Sequence, residues 1–375
     1  MKQKTAIIIG AGIVGLATAR ALALRGYQVT IFERSEQPVG ASIRNFGMIW
    51  PVGQPSGQLL DHAMLSRSIW KEICSEAGIW HSEKGSLHLA YYPDELTVME
   101  EFVAAESNHR NCRLLNPEQV LKTTQAAQPG GLLGGLWSDS EMIVEARTAI
   151  KSVADYLEEK FNIQFHYNTA ISIVDHPRVF SGKRSWSADE IFVCSGLDFE
   201  TLYPETFLEA SITKCKIQML RLAAQPDKWE IGPSLCGGLS MIHYAAFKAA
   251  SSLPLLHERY QQEYAEHIKW GIHVMVSQNG NGELTIGDSH EYGLTHDPFD
   301  KVFINELILE YLNTFAVFKD NRLIQSWNGT YAKMTNGQTS FIHTPADGVT
   351  IINGMGGAGM TLSFGMTERY FETRD

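Results

Sequence analysis

The feature that most restricts this chain is Gly10-Ala11-Gly12-Ile13-Val14-Gly15, which follows the β-branched run TAIII and opens an Ala/Leu-rich stretch from Ile13 to Arg25. Such a strand–GxGxxG–helix order suits phosphate binding. The first glycine permits the tight turn, and the second lets the backbone approach a pyrophosphate. The third lets the helix pack on the sheet, with its positive N-terminus facing the phosphates. Gly26 is placed to cap the helix, and YQVTIFE reads as a second strand. Glu33 closes that strand about 20 residues beyond the glycines, where a carboxylate can bind a ribose hydroxyl. The alternative is an ordinary glycine-rich turn beside an exposed Glu, but it does not account for this order of elements. The pattern predicts a dinucleotide with an unphosphorylated ribose, FAD or NAD rather than NADP.

Two further segments favour FAD. One is the polar, glycine-bounded loop Gly40-Ala-Ser42-Ile-Arg44-Asn45-Phe46-Gly47 directly after the second strand. The other is Asn353-Gly354-Met-Gly356-Gly357-Ala358-Gly359-Met360-Thr361, which opens the last helix. A second glycine-rich helix N-terminus can direct backbone N–H groups at a flavin ring, although such a segment read alone is also an ordinary flexible turn.

The formal net charge of -11 is spread without acidic blocks, which argues against nucleic acid or an anionic membrane as partner. Cys74, Cys112, Cys194, Cys215 and Cys236 are odd in number and form no CxxC pair, so reduced thiols are expected rather than a disulfide frame or a zinc site. The histidines show no HxxxH or HExxH spacing, and no metal is expected. The N-terminal stretch has a signal-peptide look, but glycines interrupt it and Arg20 ends it short of a span. A cytoplasmic location is expected.

Helices are expected around Leu59–Ala77, from Asn116-Pro117 onward, and over Glu145–Lys160. Short strands follow through Phe165, Ile171 and Val179, then the apolar strand IFVCSG at 191–196. Alternating stretches such as KIQMLRL, HVMV and ELTIG predict an antiparallel sheet across 211–295. Strand–glycine–helix units at both ends imply an α/β fold, a Rossmann-like cofactor domain with an inserted antiparallel-sheet substrate domain. The expected division is 1–80, 141–210 and 325–375 for the cofactor, and 81–140 and 211–324 for the substrate.

GAGIVG with Glu33-Arg34, GASIRNFG, IFVCSGLDF, ELTIGDSHE, and WNG followed by GGAGMT together resemble the D-amino-acid oxidase, glycine oxidase and sarcosine oxidase superfamily of FAD-dependent oxidoreductases. The matching pieces are distributed over nearly the whole chain. GASIRNFGMIWPVGQ, KGSLHLA, KCKIQMLRL, HYAAF and GMGGAGMTLSFGM resemble, more narrowly, a branch proposed to act on aminophosphonates related to 2-aminoethylphosphonate. The resemblance implies that Gly10, Gly12 and Gly15 wrap the pyrophosphate, and that Glu33 and Arg34 hold the adenosine. It places Ser42, Arg44, Asn45, Phe46 and Gly47 along the flavin, Ile171 near the adenine, and Ser195 and Gly196 beside the pyrophosphate. Gly329 and the run from Gly356 to Thr361 would meet the flavin's polar edge.

Departures from the family pattern bear on the substrate. Amino-acid oxidases of the group carry Arg-Pro after the glycine of the WxG segment, where the Arg clamps a carboxylate. Here the segment reads Trp327-Asn-Gly329-Thr-Tyr331-Ala-Lys333, with Tyr331 at the Arg position. Tyr331, Lys333 and Arg44 are therefore candidates for a phosphonate, with a solvated surface lysine as the alternative for Lys333. Gln218, His243 and Tyr244 are expected on inner strands lining the substrate pocket. The group's cysteine-linked flavin has no counterpart after Cys236, so non-covalent FAD is expected. The implied reaction takes a hydride from the carbon beside a neutral amine, with imine hydrolysis and reoxidation by O2. It needs no catalytic side chain. A glycine- or sarcosine-type oxidase, and a flavin dehydrogenase serving a protein partner, are the alternatives. An oligomer is compatible with either.

Overall fold

The computed structural model describes residues 3–374, so Met1, Lys2 and Asp375, at the two ends of the expected cofactor segments, lie outside the described residues. The chain starts with β1 (Thr5–Ile9), α1 (Ile13–Leu24) and β2 (Gln28–Phe32). Gly26 takes φ +80° just past α1. Its N–H donates to the Ala23 carbonyl at 3.0 Å and that of Tyr27 to Leu22 at 3.2 Å, the paired bonds of a Schellman cap.

β1 and β2 pair in parallel inside a six-stranded sheet that also holds Gln164–His166, Glu190–Val193 and Val349–Asn353, with Phe341–Ala346 antiparallel at one edge. Both faces of this sheet are covered, which is why its strands read as continuous apolar runs. Ala6 and Ile8 face α1, the helix Ala146–Phe161 and the C-terminal helix Gly359–Glu372. Ile7 and Ile9 face the opposite way, toward Val179, Phe199 and Phe207. The three-stranded sheet that supplies Val179 is built from Ile173–Asp175, Arg178–Ser181 and Arg184–Ser187.

The remaining strands form a nine-stranded, mostly antiparallel sheet around the largest core. Its longest interior strand, Ile212–Leu222, lies near one end of the sheet and pairs along its length with Leu323–Met334. Residues 325–334, grouped with the cofactor segments in the sequence reading, thus hydrogen-bond into this sheet. The sheet also recruits Ser86–Ala90, Cys112–Leu115 and Gly134–Ser138, and Ser234–Cys236 joins Ser86–Ala90 in parallel.

Three local expectations are corrected. Ile171 lies in the loop before Ile173–Asp175, buried but not in a strand. His243 ends the short helix Leu239–His243, and Tyr244 follows that helix rather than lying on a strand. The expected strand HVMV begins only at Met275, leaving His273 in the approach to it. Among the described residues no helix is long and apolar enough to cross a membrane.

Candidate active site

A cavity of about 880 Å³ runs from the end of β2, past the N-termini of α1 and the C-terminal helix, to the face of the nine-stranded sheet. The glycines at its floor are sterically fixed. Gly10 takes φ +109°, and a Cβ there would sit 2.3 Å from the Cys194 carbonyl oxygen. A Cβ on Gly15 would sit 1.9 Å from the Gly10 carbonyl, so Gly15 serves helix–strand packing and does not line the cavity. Gly12 does line it, and the nearest atom to a Cβ there is Ser42 Oγ at 3.1 Å. Ser42 Oγ already accepts the Ile13 N–H at 3.0 Å. Val14 also faces the cavity, while Ala11 is buried behind it.

At the β2 end, the Glu33 carboxylate accepts from the backbone N–H of Ala11 at 3.0 Å and of Ser35 at 3.1 Å. A carboxylate has lone pairs left for a ribose hydroxyl after two such bonds. Arg34 pairs with Asp198. Ile171, Ser195 and Gly196 line the same stretch, with Ser195 Oγ donating to the Asp198 carbonyl at 2.9 Å and Asn353 Nδ2 to the Gly196 carbonyl at 2.8 Å.

Along the middle, Asn45 Nδ2 donates to the carbonyls of Ala41 and Ser42, at 2.9 and 3.0 Å, and Asn45 Oδ1 accepts from Gly47 at 2.7 Å. Gly47 itself is not in the lining. A Cβ there would meet the Val144 carbonyl at 1.9 Å, so its glycine serves the turn, at φ +74°. Arg44 lines the cavity, but its guanidinium is held by the carbonyls of Val39, at 2.8 Å, and Asn328, at 3.3 Å. Phe46 packs with Ile217, Met219, Trp327 and Tyr331. Opposite stand Gly329, Gly356, Gly357, Ala358, Gly359 and Met360. No side chain caps the C-terminal helix, whose first-turn N–H groups open toward this wall. Thr361 Oγ1 accepts from the Trp50 N–H at 2.9 Å.

Of the expected substrate residues, the cavity's inner end brings together Tyr331, Lys333, His243 and Tyr244. Tyr331 and Lys333 alternate on one strand, on one face. Burial, with Cys215 and Asp288 beside it, pushes the Tyr331 phenol well above its ordinary range, leaving a neutral hydrogen-bond donor. Lys333 is half-buried and lines the cavity, and its Nζ donates at 2.9 Å to the hydroxyl of the exposed Tyr292.

Gln218 is not part of this wall. Its neighbours Ile217 and Met219 face Trp327 and Tyr331, so the pleat turns Gln218 the other way. There Nε2 donates to the Lys301 carbonyl at 3.0 Å and to Asn305 Oδ1 at 2.8 Å, and Oε1 accepts from the Lys301 N–H at 2.9 Å.

Three residues not singled out from sequence complete the inner end: His273, Asp288 and His290. The rings of His243 and His273 stack at 3.7 Å, and those of His273 and His290 at 5.3 Å. Their ligating atoms lie within 4.8 Å of one another, and the His243 and His290 rings are tilted by 34°. Burial pushes His290 down to about 4, with repulsion from His273 adding to it; desolvation and the neighbouring imidazoles lower His243, although that residue as a whole stays exposed at the cavity face. Burial works to raise Asp288, but His290 and His273 outweigh it and hold the carboxyl below its usual range.

A helix N-terminus at each side of one long cavity, glycines where a Cβ would intrude, and a carboxylate at the far end fit an extended dinucleotide carrying a ring system. The FAD dependent oxidoreductase (DAO) family matches residues 5–369, and the chain belongs to it. It is an FAD-dependent oxidoreductase. The chain is 25% identical over 257 residues to the tRNA 5-methylaminomethyl-2-thiouridine biosynthesis bifunctional protein MnmC of Chromobacterium violaceum, a match covering 63% of this chain and 36% of that protein. It thus spans only about a third of that relative's length. It is 21% identical to an opine oxidase subunit of Rhizobium meliloti, over 88% of this chain and 82% of that one. The glycine oxidase of Bacillus cereus superposes over 100% of this chain and 96% of its own, with a TM-score of 0.77 and 15% identity.

Proposed function

We propose that this enzyme oxidises a small amine, and that the amine carries a phosphonate. FAD, when bound, supplies the acceptor for a hydride from the carbon beside a neutral nitrogen. The imine product then hydrolyses, and O2 takes the electrons. The chain's own residues hold and orient. Glu33 and the α1 N-terminus support the dinucleotide, and Gly356–Thr361 support the ring. Burial pushes the Cys194 thiol, the one cysteine in the lining, up to about 12, which supports non-covalent FAD. The names of the glycine oxidase and the opine oxidase subunit support a small amine or amino-acid substrate.

The observation that carries the substrate class is the pair at the inner end of the cavity. Tyr331, a neutral phenol, stands where the sequence resemblance would put a carboxylate-clamping Arg, and Lys333 stands two residues on along the same strand. A tetrahedral oxyanion takes hydrogen bonds and charge from several directions, whereas a planar carboxylate prefers a bidentate fork. The test is anaerobic bleaching of the flavin absorption band by 2-aminoethylphosphonate, its N-methyl and 1-hydroxy forms, glycine and sarcosine. Fast bleaching by an aminophosphonate alone is expected. Bleaching only by glycine or sarcosine overturns the substrate class, and bleaching by none of them overturns amine oxidation. Likeness to a protein named as an oxidase subunit also favours a second reading, a dehydrogenase passing electrons to a protein partner. Slow reoxidation in air with rapid turnover on a quinone would select it.

A further inference from the structure

The inner end of the cavity gathers imidazoles from separate elements. His243 ends the helix Leu239–His243, His273 precedes the strand Met275–Gln278, and His290 follows the strand Leu284–Gly287. Lys333 faces them from the strand Leu323–Met334. The one carboxylate in the cluster is Asp288, with Oδ1 3.1 Å from His273 Nε2 and Oδ2 3.8 Å from His290 Nε2. His290 Nδ1 lies 2.8 Å from the Gly271 carbonyl oxygen. A carbonyl only accepts, so Nδ1 carries the proton and Nε2 is the nitrogen that can gain one. His273 Nδ1 is buried without a hydrogen-bond partner. The cavity wall therefore holds two imidazoles with unfilled positions, a third at its face, a lysine, and a single fixed anion.

The charged forms of His290 and His243 are disfavoured while nothing compensates them, because desolvation and repulsion from neighbouring imidazoles act against them. A dianion entering the cavity reverses both effects. We propose that His243, His273, His290 and Lys333 form the seat of a doubly charged phosphonate group, bound with uptake of a solvent proton by the imidazoles. The seat rests on the amine-oxidation reading and replaces the guanidinium grip that Tyr331 removes. A carboxylate carries half the charge and draws correspondingly less from the cluster, so the seat discriminates by charge. The groups facing the imidazoles are Asp288, Lys333, Tyr331, Tyr292, Tyr244 and Cys215, with His88 of the strand Ser86–Ala90 behind His273 and the Glu291–Lys301 ion pair beyond. Of these, only Asp288 opposes an anion directly; its Oδ1 lies 3.1 Å from His273 Nε2 but is buried without a hydrogen-bond partner.

The test is calorimetric titration of the FAD-loaded enzyme with methylphosphonate, which has no amine to oxidise. It is run near pH 7.5 in two buffers of different ionisation enthalpy. The expected result, after subtracting the proton that the methylphosphonate monoanion itself releases on binding as the dianion, is uptake of about one proton per ligand by the protein, with acetate binding at least about tenfold more weakly and without uptake. His290→Gln and His243→Gln are each expected to lose the uptake and about tenfold in affinity. Flavin absorbance and melting temperature report whether each variant is folded, and the wild-type proton count and acetate comparison decide the matter if neither is. Methylphosphonate binding without proton uptake, binding equal in folded variants, no binding to wild type, or a stoichiometric divalent ion found on the cluster by mass spectrometry each overturns the seat. Bleaching by sarcosine without a methylphosphonate site overturns the seat and spares amine oxidation. Methylphosphonate binding with uptake, but no bleaching by any amine, spares the seat and overturns amine oxidation.

Discussion

Gly12 and Gly15 are separated by one turn of backbone, yet the structure assigns them opposite roles, and alanine at each position tests this. Gly12 has φ −71° and ψ 175°, extended backbone open to any residue. A new Cβ meets only Ser42 Oγ, at 3.1 Å, which can rotate at the expense of its bond from Ile13. Losing one such hydrogen bond costs about 1 kcal/mol, or roughly 2 °C in a protein of this size. The methyl group stands, however, where the backbone must approach a pyrophosphate. Losing one charge-assisted contact there costs about 1.5–3 kcal/mol, roughly 10- to 100-fold in FAD affinity. In Gly15→Ala the Cβ falls 1.9 Å from the Gly10 carbonyl, which is backbone and cannot swing aside. Helix and strand must part, which costs about 1–3 kcal/mol or more before any ligand binds. Thermal melts of the apoprotein followed by circular dichroism, with FAD titration by fluorescence quenching, separate the two effects. Equal destabilisation of the apoprotein by both variants would refute the reasoning, as would unchanged FAD affinity in Gly12→Ala.

Gln218→Ala removes three buried hydrogen bonds to Lys301 and Asn305. It is expected to lower stability by about 2–3 kcal/mol while leaving KM within roughly twofold, since the side chain is outside the cavity; a large KM change would place it back in the pocket. The anaerobic flavin reduction rate is expected to rise with pH as the substrate ammonium is deprotonated, and a flat profile with chemistry rate-limiting counts against a neutral-amine mechanism. His88 is fully buried with both ring nitrogens unpartnered, and burial pushes it down to about 3. The unfolded chain therefore binds a proton that the folded one refuses between about pH 6.5 and 3. Stability should fall by about 1.4 kcal/mol for each pH unit of acidification through that window. His88→Leu should remove this component from urea midpoints measured across the same range, and an unchanged acid slope refutes it.

The parts legible in sequence were those whose signals are local. The Gly10–Gly15 turn and its flanking elements, the Gly26 cap, and the helix start at Asn116-Pro117 each depend on residues a few positions apart, and the structure adds a capping box at Asn116. There, Asn116 Oδ1 accepts from the Gln119 N–H and Gln119 Oε1 from the Asn116 N–H, both at 2.9 Å. The inner end of the cavity was less legible. Ile212–Leu222 is buried on nearly every residue, so alternation of polarity could not tell which side of Gln218 faced the ligand. His243, His273 and His290 come from three separate elements whose meeting depends on sheet order, and no local spacing encodes that. Gly47, placed along the flavin by the resemblance, is instead constrained by the Val144 carbonyl.

The strand Leu323–Met334 is locked along its length to Ile212–Leu222, and Lys333 also bridges to Met355 beside the C-terminal helix. Fixed on both sides, it cannot slide in register, and positions 331 and 333 stay at set depths in the cavity. Side chains at those two positions can therefore change over generations without disturbing the frame that carries the cofactor. On the proposed reading, a change of one or two side chains on this rigid strand would alter what the cavity accepts while leaving the cofactor's frame in place.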